Sequence, residues 1–417
     1  PLEVRIRPEQ QLRELTLLFP LPSARAHYAA KPLEYIGGLL GDEGPGSPLS
    51  VLKARGWAES LSAGAGLDLY GEDAFQLSLQ LTEEGVAHYR DIVALLFRAI
   101  ARLEEDGVEE WRFGEQTKLG DLAFRFREKG SPTGAVIALS NALQDYPVTE
   151  ALRGPYLFRD YEPALIHEYL GYLRPDNVLL TLSHRDVQTD RESRWFSTPY
   201  AVQKLDAGDL ARQAAAADGA LTLPAPNEFI PERVALKPLQ GKADRPALLA
   251  DEPAYRLWHL QDSAYPVPKA SIYLELLSPA ANDNARDAAL AALQARLVSD
   301  ALNEYAYPAS LAGLQYSVES GARGLTVKVA GYDDKQRVLL VKVLQTLLRD
   351  RFAADRFDGI KTEMLRDWAN SAKQRPYLQL VDEMRASLVA HSYRDEELRA
   401  ALQTAGPDDL ERFVRDL

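Results

Sequence analysis

Six histidines lie along the 417 residues, at His27, His88, His167, His184, His259 and His391, and there is no cysteine. Two His one helical turn apart can grip a single Zn²⁺, with a Glu between them as the base of a hydrolysis. No two of these six have that spacing. His167-Glu168 is the nearest fragment, and without a second His it reads as a surface His on a helix. The lack of Cys removes disulfides and thiolate chemistry but leaves the compartment open. Phosphate binding is the other chemistry to weigh, because Gly41, Gly44 and Gly46 precede an apolar stretch. The G-K-[ST] of a phosphate loop is absent. Gly41, Gly44, Pro45 and Gly46 instead form a tight turn, with Ser47 as N-cap, Pro48 at the first helical position and Gly56 as the stop.

Three other groups could touch a ligand. In AFRFREKG, Arg125 and Lys129 share a helix face while Arg127 does not, which makes Arg125 and Lys129 a candidate anion-binding pair. The plainer and favoured reading is a solvated helix end, where cations suit the dipole. In NEYAYPASLAG, Tyr305, Tyr307 and Leu311 could line a wall that contacts peptide. Core packing with satisfied hydroxyls is favoured for them. WFSTPY reads as a packing anchor.

The net charge of −13 argues against nucleic acid and anionic membranes as partners. No apolar run approaches the ~20 residues needed to span a bilayer. A start at Pro1 without a signal peptide reads as a fragment or mature product. A chain of 417 residues is too long for one core, and 46% hydrophobic with 26% charged residues is ordinary for a globular protein.

The elements that must position these groups occur twice. The first copy has a strand near Leu15–Leu21 ending in Pro-Leu-Pro, then a helix and a hairpin. The hairpin's second strand, FQLSLQL, alternates Phe75, Leu77, Leu79 and Leu81. Thr82 caps a helix whose apolar face is Val86, Tyr89, Val93, Leu96, Ile100 and Leu103, and the next helix carries Trp111, Leu119, Leu122 and Phe126. The second copy has a strand at Ser271–Leu277, a helix with Leu290, Leu293, Leu297 and Ala301, and a hairpin from Leu314 to Ala330. Asp333 or Asp334 then caps a helix with Leu340, Val343, Leu344, Leu347 and Leu348, and the next helix carries Phe357, Ile360, Met364 and Trp368. Pro132 and Pro163 open helices in the first copy, and Pro376 and Pro407, each 244 positions later, do so in the second. The expected fold is α+β, with two related domains, each a mixed, mostly antiparallel sheet with helices on one face. Their expected limits are 1–206 and 247–417, joined by a Pro- and Ala-rich linker at 207–246. In the first copy the Pro163 helix leads through Arg174-Pro175-Asp176-Asn177 into the strand VLLTLS. In the second, the chain ends at the matching helix, so that domain is expected to lack its last strand and to be truncated.

LLGDEGPGSPLSVLKARGW, followed by LSLQLTEEG, resembles the second domain of the insulinase-type zinc metalloendopeptidases, the family of pitrilysin and insulin-degrading enzyme. AFRFREK, YLRPDNVLLTL, WFSTPY, LPAPNEFIP, VPKASIYLELLSP, LNEYAYPASLAGLQYSV, VKVAGYDDKQ and QRPYLQL resemble further parts of that architecture, in the same order. The resemblance implies an insulinase/LuxS-like metallohydrolase fold and places this chain as the second and third of four domains. The family's H-x-x-E-H zinc site belongs to the first domain, so no cofactor is expected here and zinc is expected in the parent enzyme. The implied partners are peptide substrates and the remaining domains of the protease. The resemblance further implies that Ser62, Ala63, Gly64 and Ala65 stand where the family has a small-residue edge strand that anchors substrate, by position rather than identity. A sheet edge without bulky side chains lets another backbone pair with it, and a flexible hairpin arm is the alternative. The basic segment at Arg125 and Lys129 corresponds to one implicated in polyanion binding. Alternatives for the whole are a peptidase that trims a cofactor-precursor peptide and a catalytically silent peptide-binding or assembly subunit. The resemblance leans toward a bacterial periplasm, with the cytosol open.

Overall fold

Alternating leucines build the sheet of the first of two units, Pro1–Asn227 and Glu228–Leu417, in a computed structural model. It describes all residues except 11, 70, 129, 218–220, 240, 242–244 and 350. The strands of the first unit are β1 (Leu2–Ile6), β2 (Arg13–Pro22), β3 (Ala58–Leu69), β4 (Glu72–Leu81), β5 (Leu179–His184), β6 (Arg191–Glu192) and β7 (Pro199–Lys204). They form one sheet in the order β3-β4-β2-β5-β1-β7-β6. Every neighbouring pair is antiparallel except β1 and β5. Its helices are α1 (Pro32–Leu40), α2 (Pro48–Ala54), α3 (Glu83–Ala87), α4 (Tyr89–Asp106), α5 (Glu110–Arg125), α6 (Pro132–Asp145), α7 (Pro163–Leu170) and α8 (Ala207–Ala216).

Period-2 alternation decides which face of this sheet is dry. Leu15, Leu17 and Phe19 of β2, Phe75, Leu77 and Leu79 of β4, and Leu180 and Leu182 of β5 are buried against the helices. Phe19 meets Phe97 of α4 edge to face, with centroids 6.0 Å apart. The expected caps at Ser47 and Thr82 are in place, accepting the N–H groups of Ser50 and Gly85 at 3.1 and 2.9 Å. The periodic segment after Thr82 is two helices, broken at His88. In α5 the buried anchor is Phe113, while Trp111 is exposed. The stretch 207–246, expected as a linker, begins with α8. Asp206 caps this helix by accepting from Asp209 N, and Leu210 enters the core of the first unit.

The second unit contains β8 (Ala247–Glu252), β9 (Tyr255–His259), β10 (Lys269–Leu277), β11 (Leu314–Gly321) and β12 (Gly324–Tyr332). Its helices are α9 (Ala285–Leu311), α10 (Gln336–Leu347), α11 (Ala354–Ser371), α12 (Pro376–Leu388), α13 (Asp395–Gln403) and α14 (Pro407–Asp416). β10-β12-β11 form an antiparallel sheet, and β8-β9 form a separate hairpin. Neither Asp333 nor Asp334 caps α10. The Asp334 carboxylate instead accepts from the N–H groups of Glu232 and Arg233 and from Arg233 Nε, at 3.0, 3.3 and 2.9 Å. These tertiary donors outcompete the local cap. The inward face of α10 is Leu339, Val343, Thr346 and Leu347, and Leu348 is exposed. No described helix is long and apolar enough to cross a membrane.

Candidate functional site

Ser62, Ala63, Gly64 and Ala65 lie together on β3, the outermost strand of the seven-stranded sheet. They stand opposite Ser78, Leu77, Gln76 and Phe75 of β4. The ladder slips at Glu59 and at Gly66, so bulges bracket the small-residue run. Ser62, Ala65 and Gly66 are exposed, and Ala63 and Gly64 are half-buried. Among the described residues no second strand pairs with β3, so its outer N–H and C=O groups form an edge that an extended chain can join.

Helix α1 holds this strand from the inner side. A Cβ placed on Gly37 would lie 2.9 Å from the Ala63 carbonyl oxygen and 3.1 Å from Gly64 Cα. One placed on Gly41 would lie 3.3 Å from Ala63 Cβ. Gly37 and Gly41 are one turn apart, so together they clear a path for β3's backbone. The helix itself is fixed at several points. Lys31, its N-cap, adopts a left-handed conformation at φ 47°, is buried, and donates from Nζ to Pro155 O at 2.9 Å. The Tyr35 hydroxyl donates to Gly107 O at 2.7 Å and accepts from Glu109 N at 3.2 Å. Burial pushes that phenol up to about 12. Beyond the helix, buried Asp42 accepts from Gly44 N at 2.7 Å and shapes the turn into α2. Burial is also the main reason its carboxyl rises from 3.8 to about 6.

A second polar centre was not anticipated from sequence. Glu3 of β1 is 0% exposed and accepts from Arg5 Nε at 2.7 Å, Tyr89 Oη at 3.0 Å, Arg90 Nη2 at 3.3 Å and Gln203 Nε2 at 2.6 Å. This set ties β1 to α4 and β7. In LEVRI nothing but an acid two residues before an Arg hints at it. Gly37 was not singled out from sequence and Gly41 was read only as part of a turn, although a glycine in the apolar helix α1 and another at its C-cap one turn on are a spacing that could have marked a close approach.

The other candidates lie on separate elements. Arg125 ends α5, its guanidinium lies 5.0 Å from the Phe126 ring centre, and Arg127 is exposed beyond the helix. The Arg125 and Lys129 pairing rests on Lys129, which lies outside the described residues. Tyr305 is packed edge to face on Phe229 at 5.4 Å, with Lys342 Nζ 5.1 Å from its ring centre, whereas Leu311 is exposed. Trp195 and Phe196, read from sequence as a packing anchor, are 80% and 86% exposed at the tip of the β6–β7 hairpin. That tip lies beyond Tyr200, the residue of β7 that pairs with Ile6 at the end of β1. His167 is an exposed residue of α7. No group of three His, Cys, Asp or Glu that could hold a metal occurs among the described residues, and the sequence has no H-x-x-E-H. These side chains do not fit a catalytic zinc.

Comparisons with known proteins give the family of the chain. A family model described as the peptidase M16 inactive domain matches residues 1–118, and one described as the middle or third domain of peptidase M16 matches residues 124–401. The chain is 34% identical over 417 residues to insulin-degrading enzyme of Homo sapiens, covering 99% of this chain and 41% of that protein. It is 30% identical over 416 residues to A-factor-processing enzyme of Saccharomyces cerevisiae, covering 99% and 40%. The crystal structure of pitrilysin matches with a TM-score of 0.79 at 24% identity, covering 99% of this chain and 44% of that one. That likeness gives the fold alone. The chain thus spans about two fifths of the length of these relatives.

Proposed function

The chain belongs to the peptidase M16 family, and on that premise we propose that it forms non-catalytic substrate-chamber domains of a zinc-dependent peptide-degrading protease. In this reading the exposed edge of β3 holds an extended peptide by strand addition. Zinc and the general base act from other parts of the parent protein. The observation that carries the reading is the free, small-residue edge at Ser62–Gly66, braced from behind by the glycines of α1. The names of two relatives, which refer to insulin and to A-factor, support peptides as the substrate class. A catalytically silent peptide-binding or assembly subunit would use the same edge. A motif search of the parent polypeptide for H-x-x-E-H separates the two.

The edge can be tested in the 417-residue chain itself. Backbone N–H groups of successive strand residues point to opposite sides, so of Ser62→Pro and Ala63→Pro one removes a ladder donor and the other an outward donor. The outward variant should lose binding of a labelled unstructured peptide and keep the parent melting temperature. The inward variant should lower the melting temperature. Unchanged peptide binding in both variants would sink the edge-strand reading. The chain is also expected to hold no stoichiometric zinc and to cleave no peptide, checked by elemental analysis and a fluorogenic peptide assay.

A further inference from the structure

One end of the first unit's sheet gathers cations, in a chain whose net charge is −13. β5 runs parallel to β1 and antiparallel to β2, so β1 and β5 finish where β2 starts. The register sets Arg13 opposite His184 and Ile6 opposite Ser183. Arg7 and Arg185 follow directly after β1 and β5. Arg7, Arg13, His184 and Arg185 thereby line one cavity of about 490 Å³. That volume falls in the range of small-ligand sites.

All four side chains offer donors. His184 Nδ1 accepts from Asp186 N at 3.3 Å, which leaves Nε2 as the donor of the ring. Arg7 Nη2 donates to the Thr189 hydroxyl at 2.6 Å. Among the described residues neither Arg7 nor Arg185 pairs with a carboxylate. The cavity's own acids hold the donors loosely. Glu83 reaches Arg13 at 3.4 Å and Asp186 reaches His184 Nε2 at 4.0 Å, against about 2.7–2.9 Å for a close charge-assisted bond. These two acids are 81% and 89% exposed, whereas the Arg13 and His184 side chains are 25% and 13% exposed. Such solvated pairs contribute little, so an incoming group displaces them readily. Glu9, the third acid at the cavity, is exposed and pairs with no described cation.

We propose that this cavity binds a small organic acid bearing two or three carboxylates. A planar guanidinium fork matches a carboxylate two N–H groups at a time. Glu83 and Asp186 already show which chemical group the donors take, and ligand oxygens replace theirs. A lone carboxylate gains nothing over the Glu83 it displaces. Two or three on one carbon frame engage Arg7, Arg13 and Arg185 together, and only one compact molecule is ordered rather than several long side chains. The cavity lies within the first unit, apart from the β3 edge, and does not depend on the peptide-binding role proposed there.

The test titrates citrate into the 417-residue chain by calorimetry at constant ionic strength. Binding should saturate with a Kd below about 1 mM. Arg185→Ala and Arg7→Ala should each weaken it at least about tenfold. Both residues are exposed, so the melting temperature without citrate should stay at the parent value. Arg185→Lys keeps the charge but loses the planar fork, and should weaken binding as well. Glu83→Gln releases Arg13 and should tighten binding severalfold, whereas Glu396→Gln, at an exposed acid of the second unit, should leave it unchanged. If one alanine variant fails to fold, the other and Glu83→Gln carry the same readout. Lack of saturation, or an affinity indifferent to Arg185 and Glu83, would overturn the proposal. So would tighter binding of inorganic phosphate or of a polyglutamate peptide than of citrate, because the site would then select a tetrahedral anion or an acidic chain.

Discussion

Asp42→Asn should stabilise this protein at neutral pH and leave it unchanged near pH 4. Asp42 sits in the turn between α1 and α2, 7% exposed, with Oδ1 accepting from Gly44 N at 2.7 Å. Burial raises its carboxyl from 3.8 to about 6, helped by the neighbouring Glu43 charge and opposed by the Gly44 N–H and Arg112. At about 1.4 kcal/mol per pH unit, keeping the ionised form buried costs about 3 kcal/mol. The sign follows from proton binding. Between pH 4 and 6 the native chain holds this proton more often than the unfolded chain does, so stability falls as pH rises through that window. Above pH 6 the full cost is carried by the folded state. Asn keeps an acceptor for Gly44 N and has no charge to desolvate. Urea unfolding of parent and variant, measured in steps from pH 4 to pH 8, should give a stability gap that opens from near zero to about 2–3 kcal/mol. Other carboxylates titrate in both proteins and cancel in the difference. A gap that stays flat across this range would refute the burial argument.

Two further substitutions test the frame around β3. Gly37→Ala puts a methyl 2.9 Å from the Ala63 carbonyl oxygen, so helix or strand backbone must shift. The expected loss is about 1–3 kcal/mol in a thermal melt, with faster hydrogen exchange in Leu61–Gly64. Glu3→Ala leaves Arg5, Tyr89, Arg90 and Gln203 without their shared buried acceptor. It should cost about 3–5 kcal/mol, and a melting temperature equal to the parent's would show that the network contributes nothing.

Local periodicity and local caps were legible in the sequence; features decided by distant partners were not. FQLSLQL could be read as a strand because one face of four alternating residues meets the core, which is a property of the segment itself. Ser47 and Thr82 cap the helices that follow because their acceptors lie three residues from the N–H groups they receive. Asp334 has the same local chemistry but meets Arg233, about a hundred positions away in sequence, and that partner prevails. Trp195 and Phe196 have the composition of an anchor, yet a hairpin tip carries them past the sheet. The helix α8 was read as linker because Ala-rich sequence carries little periodic signal, and Leu210 with Ala214 one turn on shows which face turns inward.

Family likeness located the edge strand, but it did not say why its residues are small, and the structure supplies two reasons that fall on alternate positions. Ala63 shares the inward face with buried Leu61, and its Cβ is the atom that an added methyl at Gly41 would meet at 3.3 Å. Its size is therefore a packing requirement that would hold even if no peptide ever bound. Ser62 and Gly64 stand opposite Ser78 and Gln76, neither of them buried, on the other face of the sheet. Ser62 is exposed, which leaves its side chain room to be larger than serine. The proposed binding role thus rests on Ser62 and on the open backbone of β3, while Ala63, Gly37 and Gly41 account for the close packing of that strand on α1.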